Sequence, residues 1–103
     1  MLESVYQGQL IKTTLPLWFP DCVAHKNAGH IQGFPDLTIL FRDMWAVLEV
    51  KAHKDAPYQP NQEYYLDLLG TMSFAATIYP ENEEEVLRAL QHAFETRWVT
   101  RFS

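Results

Sequence analysis

Two short runs of branched and aromatic residues, DLTILF from Asp36 to Phe41 and WAVLEVKA from Trp45 to Ala52, lie three residues apart in the chain. Side chains of this kind favour extended backbone, and the polar Arg42-Asp43-Met44 connection suits a hairpin. A lone hairpin is marginal in water, so the other residues must add strands beside it or helices across its faces.

The flanking sequence supplies both. Leu2, Val5, Tyr6 and Leu10 recur at helical spacing and predict a first helix over about residues 2 to 13, although Gly8 weakens it. Leu15 to Val23 is apolar but broken by Pro16 and Pro20, which predicts an irregular or edge strand, and His25 to Pro35 reads as a loop. After the hairpin, Pro60 suits the first turn of a helix whose apolar face is Tyr65, Leu66, Leu69 and Met72, ending near Gly70 to Ser73. Phe74 to Tyr79 is an unbroken apolar run closed by Pro80, the pattern of a buried strand. Asn82 with Glu85 has the form of a helix cap, leading into the stripe Val86, Leu87, Leu90, Ala93 and Phe94. The expected fold class is α/β (α+β), in the order α-β-β-β-α-β-α. Joining the second hairpin strand to the later strand through a helix needs a crossover, hence a mixed sheet flanked by helices.

With 103 residues there is room for one domain, 1–103, and 48% hydrophobic content makes a packed core attainable without staples. The single cysteine, Cys22, has no partner in the chain, which points to a reducing, cytoplasmic setting. No apolar run approaches the ~18 residues of a membrane span, and no signal-peptide pattern opens the chain, so a soluble protein without membrane partners is expected. The net charge of −5 argues against strong non-specific nucleic-acid binding. The excess of acid lies wholly in the C-terminal half, however. Met1 to Lys54 carries five basic and five acidic residues, and two charges from a divalent ion would turn that half positive.

The chemistry centres on Pro35-Asp36 followed by Glu49-Val50-Lys51. Alternation along a strand puts Glu49 and Lys51 on one face, and an adjacent antiparallel strand opening at Asp36 can lay its carboxylate beside them. Paired carboxylates in an apolar sheet repel one another unless a hard cation such as magnesium sits between them. A cation there, with a lysine beside it, suits phosphodiester hydrolysis. Taken singly, a Pro-Asp pair is usually a turn and a Glu-x-Lys triplet usually a solvated face. Their joint position inside the most apolar strands gives the pattern its weight.

Gly33-Phe34-Pro35-Asp36-Leu37, Glu49-Val50-Lys51 and Gln59-Pro60-Asn61-Gln62 at a helix start together resemble the PD-(D/E)xK nuclease superfamily, most of all its VRR-NUC branch. The resemblance covers roughly Asn27 to Glu85. It implies a restriction-endonuclease-like core with Asp36, Glu49, Lys51, Gln62 and Glu3 as catalytic residues. It also implies that Asp36, Glu49, the Val50 carbonyl and Glu3 ligate Mg2+, with Mn2+ able to substitute and no organic cofactor. Lys51 would assist the attacking water, and Gln62 would orient Lys51 or a phosphate. For Glu3 a helix-start carboxylate is an equal reading.

The implied activity is a DNA endonuclease acting on Holliday junctions or other branched DNA. The implied setting is the cytoplasm, or the host cytoplasm for a phage protein. A homodimer formed through the first helix or the Trp45 region would put two centres on one junction. The alternatives are a nicking, non-specific or repair nuclease, or a non-catalytic nucleic-acid-binding subunit of a larger complex. Lys26, His30, His53 and Lys54, in the loops around the central strands, are candidate phosphate contacts. Cys22, His25 and His30 match no closed zinc spacing.

Overall fold

The computed structural model describes residues 1–103. In chain order its elements are helix α1 (Glu3–Gln9), a π-helical turn (Leu10–Thr14), α2 (Leu15–Trp18), strands β1 (Val23–Lys26), β2 (Leu37–Phe41) and β3 (Met44–Val50), helix α3 (Gln62–Leu69), β4 (Phe74–Ile78), a 3-10 turn (Pro80–Asn82), α4 (Glu83–Thr96) and β5 (Thr100–Arg101). The five strands form one mixed sheet in the order β1-β2-β3-β4-β5. The first three pair antiparallel, whereas β4 and β5 add parallel. A crossover through α3 makes the β3–β4 pairing possible, as expected for consecutive parallel strands.

Alternation along the strands decides the layers. Leu37, Ile39, Leu48, Val50, Phe74, Ala76 and Ile78 face Tyr6, Leu10, Leu15 and Phe19 of the N-terminal helices and Val86, Leu87, Leu90 and Phe94 of α4, in a core of 17 buried residues. On the opposite face Val47 and Ala75 meet Leu66 and Leu69 of α3 in a much smaller cluster. No helix is long and apolar enough to cross a membrane.

Four details differ from the sequence expectation, the first being that His25 and Lys26, expected in a loop, pair with Thr38 and Leu37 as the end of β1. Leu15 to Trp18 is helix, not strand: the first helix runs on through the π turn, where the Leu15 N–H donates to the Leu10 carbonyl, five residues back. That wider turn stands immediately before Pro16, which has no amide to donate and whose ring would crowd a regular α-turn; Pro16 then lies in the first turn of α2, where proline is tolerated. Leu10, Leu15 and Phe19 are thereby buried on one side of a helix.

Asn82 precedes α4 but does not cap it with its side chain. Instead its Oδ1 accepts from the Tyr79 N–H at 2.8 Å and its Nδ2 donates to the Thr77 carbonyl at 3.0 Å, so it closes the end of β4. The N-terminus of α4 is served by Glu83, Glu84 and Glu85, whose charges oppose the helix dipole. Finally, β5 was not foreseen. Arg97, in the left-handed conformation, ends α4 and returns the chain to the sheet, where the Thr100 N–H bonds the Ser73 carbonyl and the Phe102 N–H the Ala75 carbonyl.

Candidate functional site

Register builds the site. Leu37 and Leu48 are cross-strand partners and both enter the large core, so the next pair outward, Asp36 and Glu49, lies on the α3 face. Thr77 of β4 stands beside Glu49 on the other side. The Asp36 carboxylate is anchored where it leaves the sheet, its Oδ2 accepting from the Val50 N–H at 2.9 Å. Thus Val50, expected to offer its carbonyl, makes its visible contribution through its amide.

Gln62, the first residue of α3, ties the remaining groups together. Its Oε1 accepts from Lys51 Nζ at 2.8 Å and from the Gln59 N–H at 2.7 Å, while its Nε2 donates to Glu49 Oε2 at 3.0 Å. These bonds leave the amide one orientation, with both ends used. Lys51 Nζ also lies 3.7 Å from Glu49 Oε2. Glu49 is 2% exposed and Lys51 5%.

Two neighbouring segments hold these groups in place. Asn27, just beyond β1, donates from Nδ2 to the Pro35 carbonyl at 2.9 Å and accepts from the Thr38 hydroxyl at 3.0 Å, and its own N–H bonds the Asp36 carbonyl at 2.8 Å. It fastens the chain on both sides of Asp36. Gly33 has φ +87°, and a Cβ there would sit 2.6 Å from the Asn61 carbonyl carbon and 2.7 Å from the Pro60 carbonyl oxygen. The glycine therefore lets the Asp36 loop press against the start of α3, where Asn61 is itself left-handed (φ 70°) immediately before Gln62.

Burial, followed by the charge of Asp36, pushes the Glu49 carboxyl up to about 9 from an ordinary 4.5, and Lys51 only partly opposes this. Glu49 Oε1 is buried with no hydrogen-bond partner. A hard divalent cation fits both facts, since it would give the orphaned oxygen a partner and offset the repulsion between the two carboxylates. The third expected carboxylate stands further out. Glu3 is exposed, and its charge is the weakest of those acting on Glu49. No group of three or more His, Cys, Asp or Glu side chains is gathered to hold a metal. Glu3 starts α1, where a free carboxylate is favoured by the helix dipole.

Of the residues expected to matter, Asp36, Glu49, Lys51 and Gln62 are joined by hydrogen bonds, while Glu3 stands exposed at the start of α1 and acts on Glu49 through its charge. Lys26 ends β1 opposite Leu37, close to the Asp36 strand, while His30, His53 and Lys54 lie in the loops to either side of the hairpin. All four are exposed, and none forms a salt bridge. Asn27 and Thr77 escaped notice, because a polar residue at a strand end or inside an apolar strand carries no signal until its neighbours are known. Compared with known proteins, the chain matches no family model, no curated protein and no solved structure.

Proposed function

We propose that the chain is a divalent-metal-dependent nuclease with a restriction-endonuclease-like core, hydrolysing phosphodiester bonds in DNA. One observation carries this reading. Two carboxylates face each other across β2 and β3, one oxygen of Glu49 is unpartnered, and Lys51 is aimed into the same space by Gln62. Ion pairs that serve only structure keep their buried oxygens hydrogen-bonded.

Magnesium, or manganese in its place, would be held by Asp36 and Glu49 and would supply Lewis-acid activation and charge neutralisation at phosphorus. Asp36, with one oxygen committed to the Val50 N–H, has its second oxygen for this task. Lys51 has three ammonium protons, of which one goes to Gln62 and one points towards Glu49, so the third can hold the attacking water or a phosphate oxygen. As the water oxygen bonds to phosphorus it gives up a proton to solvent, the opposite P–O bond breaks and the leaving oxygen takes a proton from solvent, and the ammonium stabilises the negative charge that grows between them. The products are a phosphomonoester and a hydroxyl. Gln62 acts through the other two residues, holding both without contributing a proton of its own.

Branched DNA is the preferred substrate, cut by a homodimer that places two centres on one junction. The exposed Leu2 and Val5 of the first helix favour pairing through that helix. Incubating the protein with junction, flap, duplex and single-stranded DNA in magnesium or manganese tests the proposal, with Lys51→Ala as the control. Cleavage lowered at least ~100-fold in a folded Lys51→Ala protein is expected, as for loss of a group acting in the transition state. Binding without cleavage under every metal condition would leave a non-catalytic subunit, and a monomer by light scattering would remove paired junction cutting.

A further inference from the structure

The α3 face carries a second polar group beside the four central residues. Tyr58, in the loop between β3 and α3, shares a 2.7 Å hydrogen bond with the hydroxyl of Thr77, the sheet neighbour of Glu49. Lys51 Nζ lies 5.7 Å from the centre of the Tyr58 ring, and the Arg101 guanidinium carbon lies 5.9 Å from it. Arg101 donates from Nη2 to the Tyr58 hydroxyl at 3.3 Å and from Nη1 to Asp67 of α3. An arginine on the short edge strand is thus folded back towards the centre, against its tendency to extend into water. The closest approach at Gly70 supports this placement, since a Cβ there would meet the Arg101 backbone at 2.7 Å.

Ordering so flexible a side chain opposes folding through lost rotamer freedom, and a partly exposed pair with Asp67 offsets little of it. The two bonds engage one N–H on each terminal nitrogen. The Nε–H and two further N–H groups have no protein partner, and this fork matches the geometry of a phosphate. The Tyr58 ring meanwhile brings two cations within 6 Å of its centre, one inside the proposed catalytic group and one outside it.

We propose that Arg101, oriented by Tyr58 and occupied in the free protein by Asp67, binds a non-scissile phosphate of the nucleic-acid backbone next to the phosphate held at Asp36, Glu49 and Lys51. The inference rests on the nuclease reading and specifies the contact as one to the backbone, which carries no base information. The rival role for Arg101 is a strap that merely ties β5 to α3.

Fluorescence anisotropy of a labelled four-way junction and a labelled duplex, with calcium in place of magnesium and salt varied between about 50 and 200 mM, separates these roles. Arg101→Gln should weaken binding about 5- to 10-fold and flatten the log–log salt slope by about one, the signature of one lost phosphate contact. Arg101→Lys should restore the slope. Asp67→Asn should tighten binding at least twofold, because the guanidinium loses a competing anion, whereas a strap predicts that Asp67→Asn weakens binding as Arg101→Gln does. If Arg101→Gln fails to fold, the sign of the Asp67→Asn effect decides alone. Wild-type binding and cleavage with an unchanged slope in Arg101→Gln would overturn the inference and spare the nuclease. A wild-type protein that neither binds nor cuts nucleic acid would end both.

Discussion

Along β3, Ala46, Leu48 and Val50 point into a core of 17 buried residues, while Val47, Glu49 and Lys51 point the other way into a layer whose apolar cluster has four. One backbone serves both. On the α1/α4 side the 17 core side chains are apolar apart from the Tyr6 hydroxyl, which reaches Glu83, so burial there supplies stability and little else. On the α3 side apolar packing stops one residue short of Glu49, and the row beyond it is polar. There a buried carboxyl group keeps an oxygen without a hydrogen-bond partner, a cost set against the packing of the other face.

Leu48→Ala should show the largest effect on folding. Emptying a fully buried leucine site is expected to lower unfolding stability by about 2–5 kcal/mol in urea titrations. A loss below about 1 kcal/mol would mean that the large core is not where stability resides.

Its neighbour should behave in the opposite sense. In Glu49 the folded-state pKa lies above the ordinary value, so the folded protein binds the extra proton. This contribution to stability is complete below about pH 4.5 and falls away as pH rises towards 9. With a chelator present, Glu49→Gln should therefore stabilise the protein by roughly 3 kcal/mol at pH 7 relative to pH 4.5, flattening the pH dependence by about 1.4 kcal/mol per unit, and in magnesium the same variant should lose cleavage. Equal pH slopes in variant and wild type would show that Glu49 is not the strained group of the α3 face.

A smaller effect tests the link between the Asp36 loop and α3. Gly33→Ala combines a left-handed backbone with a clash against Asn61, and about 2 kcal/mol of destabilisation is expected, together with weaker cleavage because Gln62 must shift. Full activity with unchanged stability would show that the loop does not brace the helix. The smallest effect belongs to neither face. Arg97 and Asp43 form an exposed ion pair, and Asp43→Asn should change stability by no more than about 0.5 kcal/mol, vanishing in high salt.

Much of this architecture was legible before any coordinates. The hairpin, β4 and the two later helices follow from periodicity, because a half-buried strand or helix writes its environment into alternate or every third and fourth residues. Leu15 to Trp18 misled because two prolines near an apolar stretch argue for broken strand, and no local rule announces a π turn that makes room for Pro16. Asn82 misled because its spacing to Glu85 fits a cap, whereas its amide is drawn to the Tyr79 and Thr77 backbone groups at the end of β4. Thr100 and Arg101 form too short a strand to leave any periodicity. Glu3 reads equally as a metal ligand and as a helix-start carboxylate, because a single acid at the head of a helix carries the same local signal for both.

The order of residues determined by itself which stretches extend, which coil, and which ionisable groups sit within apolar strands, because each of these depends on neighbours a few positions away. Only the folded chain decided that Asp36 would be opposed to Glu49, that a glutamine twelve residues beyond Val50 would bridge Lys51 and Glu49, and that Arg101 would return from the far end to Tyr58. Register and helix docking settle those meetings, and both minimise the free energy of the entire packed molecule rather than of any segment within it.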